Sequence, residues 1–200
     1  MATKIFCVSE RFPVQLERKS PKRREKSYKK TKTQYYRSVK NWTKQDWKRT
    51  DGIECKKGCY IYFWHDNPIY VGMTISEKGF QNECFHSHKT GNSEKDGKGI
   101  LTDFLQKEKI RRCRTKKNAM CKSPLTLLFI YWNGRPDANI EDVVNDMESY
   151  LITKALEKNP KLLNSKKTTK WWSIPGFDGE PEGDENGRKL NILLTKKKRG

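Results

Sequence analysis

Residues 58 to 72, GCYIYFWHDNPIYVG, leave this chain little conformational choice. Tyr60 to Trp64 is an unbroken run of β-branched and aromatic residues, Ile69 to Val71 is a second, and Asp66-Asn67-Pro68 between them is a turn cluster. Two short antiparallel strands joined by a tight connection are therefore expected. Alternation along a strand puts Tyr60, Tyr62 and Trp64 on one face and Cys59, Ile61 and Phe63 on the other.

Further elements follow from hydrophobic spacing. Leu125 to Trp132 is nearly continuously apolar and is bounded by Pro124 and by Asn133-Gly134, as a buried central strand would be. Ile140, Val143, Val144, Met147, Leu151, Ile152 and Ala155 recur at helical spacing until Pro160 stops them, which predicts a long helix over residues 139–157. Glu148, one residue after the core position Met147, falls at the rim of that helix facing the sheet. Shorter helices are expected over residues 41–57, with Trp42 and Trp47 as anchors, over 80–88, where Phe80 and Cys84 share a side, and over 100–112. The fold class that results is α/β of the α+β kind, a small three-stranded sheet flanked by helices.

Charge points to the partner. The 200 residues carry a formal net charge of +19, with a pI near 9.7, which selects a polyanion. Basic residues are interleaved with Tyr and Trp, and no amphipathic helix has a broad apolar face, so nucleic acid, double-stranded DNA above all, is preferred to a membrane. No run of about 18 apolar residues occurs and Met1 to Phe6 lacks the apolar core of a secretory signal, so a soluble intracellular protein of cytoplasm, nucleus or nucleoid is expected.

Residues 1–50 hold sixteen Lys or Arg against four acids. They read as a basic, partly disordered arm with a short helix at its end, in which Arg23, Arg24, Lys29 and Lys30 would track phosphates. Arg111, Arg112 and Arg114 form a second basic cluster, suited equally to phosphate and to the negative end of the preceding helix. Residues 51–172 read as the folded domain, and 173–200 as a Gly-rich acidic linker with a basic tail. Six cysteines lack a framework spacing, which fits a reducing compartment. Zinc ligation by Cys55, Cys59, Cys84, His86 and His88 is the alternative use of those side chains.

Gly58-Cys59-Tyr60, followed after nine residues by Tyr70-Val71-Gly72, resembles the paired signature of the GIY-YIG nuclease superfamily, small metal-dependent DNA endonucleases. The order of hairpin, helices, strand and long helix over residues 58–164 is similar to that family's. On this resemblance Tyr60 is the general base, Tyr70 and His88 position the water or the phosphate, and Glu148 holds one divalent ion, Mg²⁺ or Mn²⁺. Gly58, Gly72 and Asn164, in a Pro-x-Leu-Leu-Asn context, are supporting positions. The family's helix arginine, one turn before the histidine, is replaced by Cys84, and Lys78 or His86 would have to supply the missing cation. The resemblance thus implies a hydrolase cutting phosphodiester bonds of DNA, or else a binding module that keeps the fold without catalysis.

Overall fold

The computed structural model describes residues 6–19, 36–86, 99–107, 124–132, 140–164 and 185–195. In chain order the strands are β1 (Phe6–Val8), β2 (Phe12–Pro13), β3 (Leu16–Lys19), β4 (Tyr36–Val39), β5 (Gly58–Trp64), β6 (Asn67–Thr74) and β7 (Leu125–Trp132). The helices are α1 (Lys44–Lys48), α2 (Gly79–Glu83), α3 (Ile100–Lys107), α4 (Ile140–Lys158) and α5 (Glu185–Leu194), with a short 3₁₀ turn at Ile53–Cys55. No helix among the described residues is long and apolar enough to cross a membrane. The chain divides into two units, one made of Met1–Pro13, Lys44–Cys84 and Pro124–Gly200, the other of Val14–Thr43 and Phe85–Ser123.

The first unit holds an antiparallel sheet in the order β1-β7-β5-β6, with β2 also paired to β7. The expected hairpin and apolar strand form its centre, since β5 lies between β6 and β7 and is buried from Gly58 to Phe63. Gly58 is required there: its φ is +149°, and a Cβ would lie 2.1 Å from the Ile130 carbonyl oxygen. The turn falls on His65-Asp66 rather than on the three residues after His65, because Trp64 pairs with Asn67.

The sheet has five strands, not the three expected, and the additional two come from residues assigned to the arm. Phe6 and Val8 pair with Trp132 and Ile130, and Phe12 pairs with Leu127. Between them Ser9 donates its backbone N–H to the Phe129 carbonyl and accepts the Phe129 N–H on Oγ, both at 2.9 Å. An apolar β7 needs partners on both edges, and strands of three and two residues are too short to show a period in sequence. Arg11 pins the same segment to the hairpin: its guanidinium bonds the Asp66 carboxylate at 3.0 Å, Thr126 Oγ1 at 2.9 Å and the His65 carbonyl, and lies 4.7 Å from the centre of the Phe63 ring.

Each face of the sheet has its own cover. Cys59, Ile61, Phe63 and Val71 join Val144, Met147, Leu151 and Ala155 of α4 in one apolar cluster, which also takes Leu190 and Leu194 of α5. The α5 helix lies where a linker and tail were expected; Leu190, Leu193 and Leu194, at i, i+3 and i+4, give it an apolar stripe to bury. Lys158 donates to the Leu193 carbonyl at its C-terminal end, a favourable place for a cation. On the opposite face Phe129 is ringed by Phe80 at 4.8 Å, Phe12 at 5.9 Å and Trp47 at 6.1 Å between centroids.

The second unit joins two chain segments. β3 and β4 form a two-stranded ribbon with Leu16 opposite Val39 and Arg18 opposite Arg37, so Arg18 and Lys19 are strand residues rather than part of a disordered stretch. α3 packs on β4, and Trp42 meets Phe85 at 5.4 Å. Arg23, Arg24, Lys29, Lys30, Arg111, Arg112 and Arg114 lie outside the described residues.

Deletion of residues 1–13 should therefore damage the sheet and not merely trim a tail. Calorimetry should show a markedly lower unfolding temperature, and gel filtration should show association through the uncovered β7 edge. A variant as stable and monodisperse as the full chain would refute this role.

Candidate active site

Tyr60 and Tyr62 leave β5 on the face covered by α2, as alternation predicts. The register sets Tyr60 opposite Gly72 and Tyr62 opposite Tyr70. The Tyr60 ring crosses the space over Gly72, where a Cβ would come within 2.4 Å of Tyr60 Cζ and 2.5 Å of its hydroxyl oxygen. Gly72 is thus a matter of close approach. Tyr60 is completely buried, with its ring centre 6.1 Å from Tyr62, 6.4 Å from Tyr70 and 6.2 Å from Phe80.

The short helix α2 is held on these tyrosines at both ends. Phe80 packs on Tyr60 near its start, and past its end the Tyr62 hydroxyl donates to the Cys84 carbonyl at 2.8 Å. Gly79 lets the helix start, since its φ of +60° and its approach to the backbone of Glu54 and Cys55 both exclude a side chain. Cys84 is fully buried, and its field acts on Tyr60, Tyr62 and Tyr70. Lys78 and His86 are exposed, the former at the N-terminal cap of α2. The helix stops at Glu83, short of the predicted end, and His88 lies outside the described residues.

Tyr70 sits on the edge strand β6, half-buried. Its phenol is pushed up to about 12, by burial first and then by the carboxylates of Glu148 and Glu83 and by Cys84. Burial likewise raises the Tyr60 phenol well above its ordinary value, with Cys84, Tyr70, Tyr62 and Glu83 adding to it. Glu148 reaches this place from α4, on the other face of the sheet, as a half-buried side chain four residues after the buried Val144. It also adds to the upward shift that burial imposes on Cys59, whose thiol faces the Val144 carbonyl at 3.6 Å.

Glu148 thus acts on Tyr70 but not on Tyr60, whereas Glu83, which the sequence reading missed, acts on both. Glu83 also lines a cavity of about 310 Å³ with Met73, Thr74, Ile75 and Ser76. Its spacing from Phe80, i to i+3 on one helix, was the available signal.

Asn164 has a clear task. Its side-chain amide accepts the Val71 N–H at 2.9 Å and donates to the Val71 carbonyl at 2.7 Å, taking the place of a further strand. Leu163 N–H bonds the Ile69 carbonyl at 2.8 Å, and Asn159 Nδ2 bonds the Pro68 carbonyl at 2.7 Å. The outer edge of β6 is satisfied on both sides of Tyr70, which fixes the backbone that carries the phenol.

Among the described residues no three His, Cys, Asp or Glu side chains come together as a metal cage. Cys55 is exposed and Cys59 is packed in the core, so these two do not form the zinc pair considered from their spacing. Compared with family models, with curated proteins and with solved structures, the chain matches none.

Two outcomes test this geometry. Asn164→Ala should cost about 1–3 kcal/mol for each polar group of Val71 it leaves unsatisfied, read from denaturant unfolding. Since the Tyr70 phenol holds its proton more tightly in the folded chain, its contribution to stability is complete below its unfolded pKa, about 10, and is lost as pH rises toward 12. Tyr70→Phe should flatten that alkaline decline; an unchanged decline would assign it to other groups.

Proposed function

We propose that the chain hydrolyses phosphodiester bonds of DNA with one divalent ion, Mg²⁺ or Mn²⁺, as the resemblance of residues 58–164 to GIY-YIG nucleases implies. What supports the reading is the half-buried Tyr70 phenol, raised by burial and by the carboxylates of Glu148 and Glu83, with the Tyr60 ring centre 6.4 Å away. A hard cation that keeps most of its waters needs only one or two carboxylates. Oxygen donors and a net negative field at the phenol suit such an ion, with Glu148 holding it and Glu83 within its field. When bound it supplies positive charge that stabilises a leaving oxygen and brings a neighbouring phenol down from about 12.

The chain's own residues divide the remaining work. Tyr60 has no exposed surface, so the partly exposed Tyr70, once deprotonated to its phenolate, is the group that would take a proton from water. Tyr60 and Tyr62 fix the floor beneath it, and Asn164 fixes its strand. The base role passes from Tyr60 to Tyr70 on accessibility alone. Cys84 places no cation beside the scissile phosphate, so charge stabilisation there falls to the ion and to Lys78.

A plasmid-nicking assay with Mg²⁺ or Mn²⁺ tests the proposal. Glu148→Gln and Tyr70→Phe should each lower the rate about 10²-fold or more, and Tyr60→Phe less, because a general base contributes on the order of 10²–10⁴-fold. Below the phenol's titration the wild-type rate should rise about tenfold per pH unit. Binding without metal-dependent cleavage of any DNA would establish the alternative, a non-catalytic nucleic-acid-binding module.

A further inference from the structure

Beyond Gly72, over which the Tyr60 phenol lies, β6 ends in Met73 and Thr74, and the chain turns through Ile75 and Ser76 toward α2. With Glu83 of α2 these four residues line a cavity of about 310 Å³. That is near the lower end of small-molecule sites, roughly 300–1,000 Å³, and gives room for one planar ring system. Met73 and Ile75 are half-buried and pack against the core cluster, and a methionine sulfur is a favourable neighbour for an aromatic ring. The polar side of the lining has a fixed pattern. Thr74 Oγ1 is engaged in the loop, donating to the Gly79 carbonyl at 3.4 Å and accepting the Ser76 N–H at 3.3 Å. Ser76 Oγ accepts the Lys78 N–H at 3.3 Å, which leaves its own proton to donate. Glu83 brings a carboxylate, an acceptor with about four lone-pair positions.

We propose that this cavity takes one base of the nucleic-acid substrate, and that Glu83 selects a base carrying an exocyclic amino group over thymine. The inference rests on the proposed reaction for its ligand class but does not depend on cleavage. A carboxylate accepts from the amino group of cytosine, while the Ser76 hydroxyl donates to the ring nitrogen or carbonyl beside it. Thymine flanks its one ring N–H with two carbonyl oxygens, which a carboxylate repels. Other small ligands fit less well: Glu83 repels a phosphate, and Met73 and Ile75 offer a hard cation no side-chain oxygen. A base enclosed in this way has left its stack, so a single strand is the direct ligand. Glu83 acts on both Tyr60 and Tyr70, and an occupied cavity therefore brings the backbone of that nucleotide to the candidate site.

The test is binding of the full chain to short single-stranded oligo-dC and oligo-dT of equal length, in EDTA so that no cleavage occurs. Equal length makes the phosphate contribution cancel in the ratio of affinities. The wild-type chain should prefer oligo-dC by about 5- to 100-fold, the discrimination of one good base contact. Glu83→Gln should bring the ratio close to one while both oligomers still bind, because an amide donates to thymine as readily as it accepts from cytosine. Glu77→Gln, the same change of charge on an exposed neighbour, should leave the ratio as it is. Oligomers of N4,N4-dimethylcytosine, which has no amino hydrogens, should lose the preference with the wild-type chain, a result that needs no variant to fold. Failure to bind either oligomer, equal wild-type affinity for the two, a preference that survives Glu83→Gln or the dimethylated base, or an equal loss in Glu77→Gln would each overturn the proposal. If the preference holds and no DNA is nicked, the proposed chemistry falls and the base site stands; nicking without the preference sinks the base site alone.

Discussion

A tyrosine ring laid across a glycine is the contact from which the site's other features follow. Tyr60 has no exposed surface, and its phenol end takes up the volume that a Cβ on Gly72 would need. The rung between them sets the next one, Tyr62 with Tyr70. Those aromatic surfaces then hold α2, through Phe80 on Tyr60 and through the Tyr62 hydroxyl on the Cys84 carbonyl. Large aromatic side chains dominate the energetics of a small core, and here the same burial drives the phenols toward their neutral form.

The edge strand β6 contacts both α2 and α4. Ile69 is an extra residue in the pairing, because Tyr62 pairs with Tyr70 while Phe63 pairs with Pro68, and such a bulge turns the strand locally. The segment after α4 then closes the edge with Asn159, Leu163 and Asn164. A carboxylate on α4 and another on α2, from opposite faces, can both act on Tyr70 only because nothing broader than one edge strand separates them.

Much of the architecture could be read from the residues themselves. The hairpin, the apolar strand β7 and the long helix α4 announce themselves because their apolar residues recur over seven or more positions at the period of the element. Tyr60, Tyr70 and Glu148 were singled out by the resemblance of their motifs, which the period of those elements does not by itself mark. The strands β1 and β2 and the helix α5 could not, because each is short and becomes a stable element only against a surface supplied by distant residues. Glu83 was hidden for a related reason: its i, i+3 spacing from Phe80 acquires meaning only once α2 has docked, and so does its field on Tyr70.

The sequence by itself determined that Tyr60 and Tyr62 share a face, that Gly58 and Gly72 bracket the hairpin, and that basic charge is present in excess, because alternation, backbone freedom and charge are local properties. Only the tertiary structure decided that Tyr60 is sealed while Tyr70 is not, that Asn164 serves as a strand, and that residues 6–13 complete the sheet. Burial, edge pairing and the assembly of distant segments depend on what the rest of the chain brings to each residue, and no stretch of sequence carries that information alone.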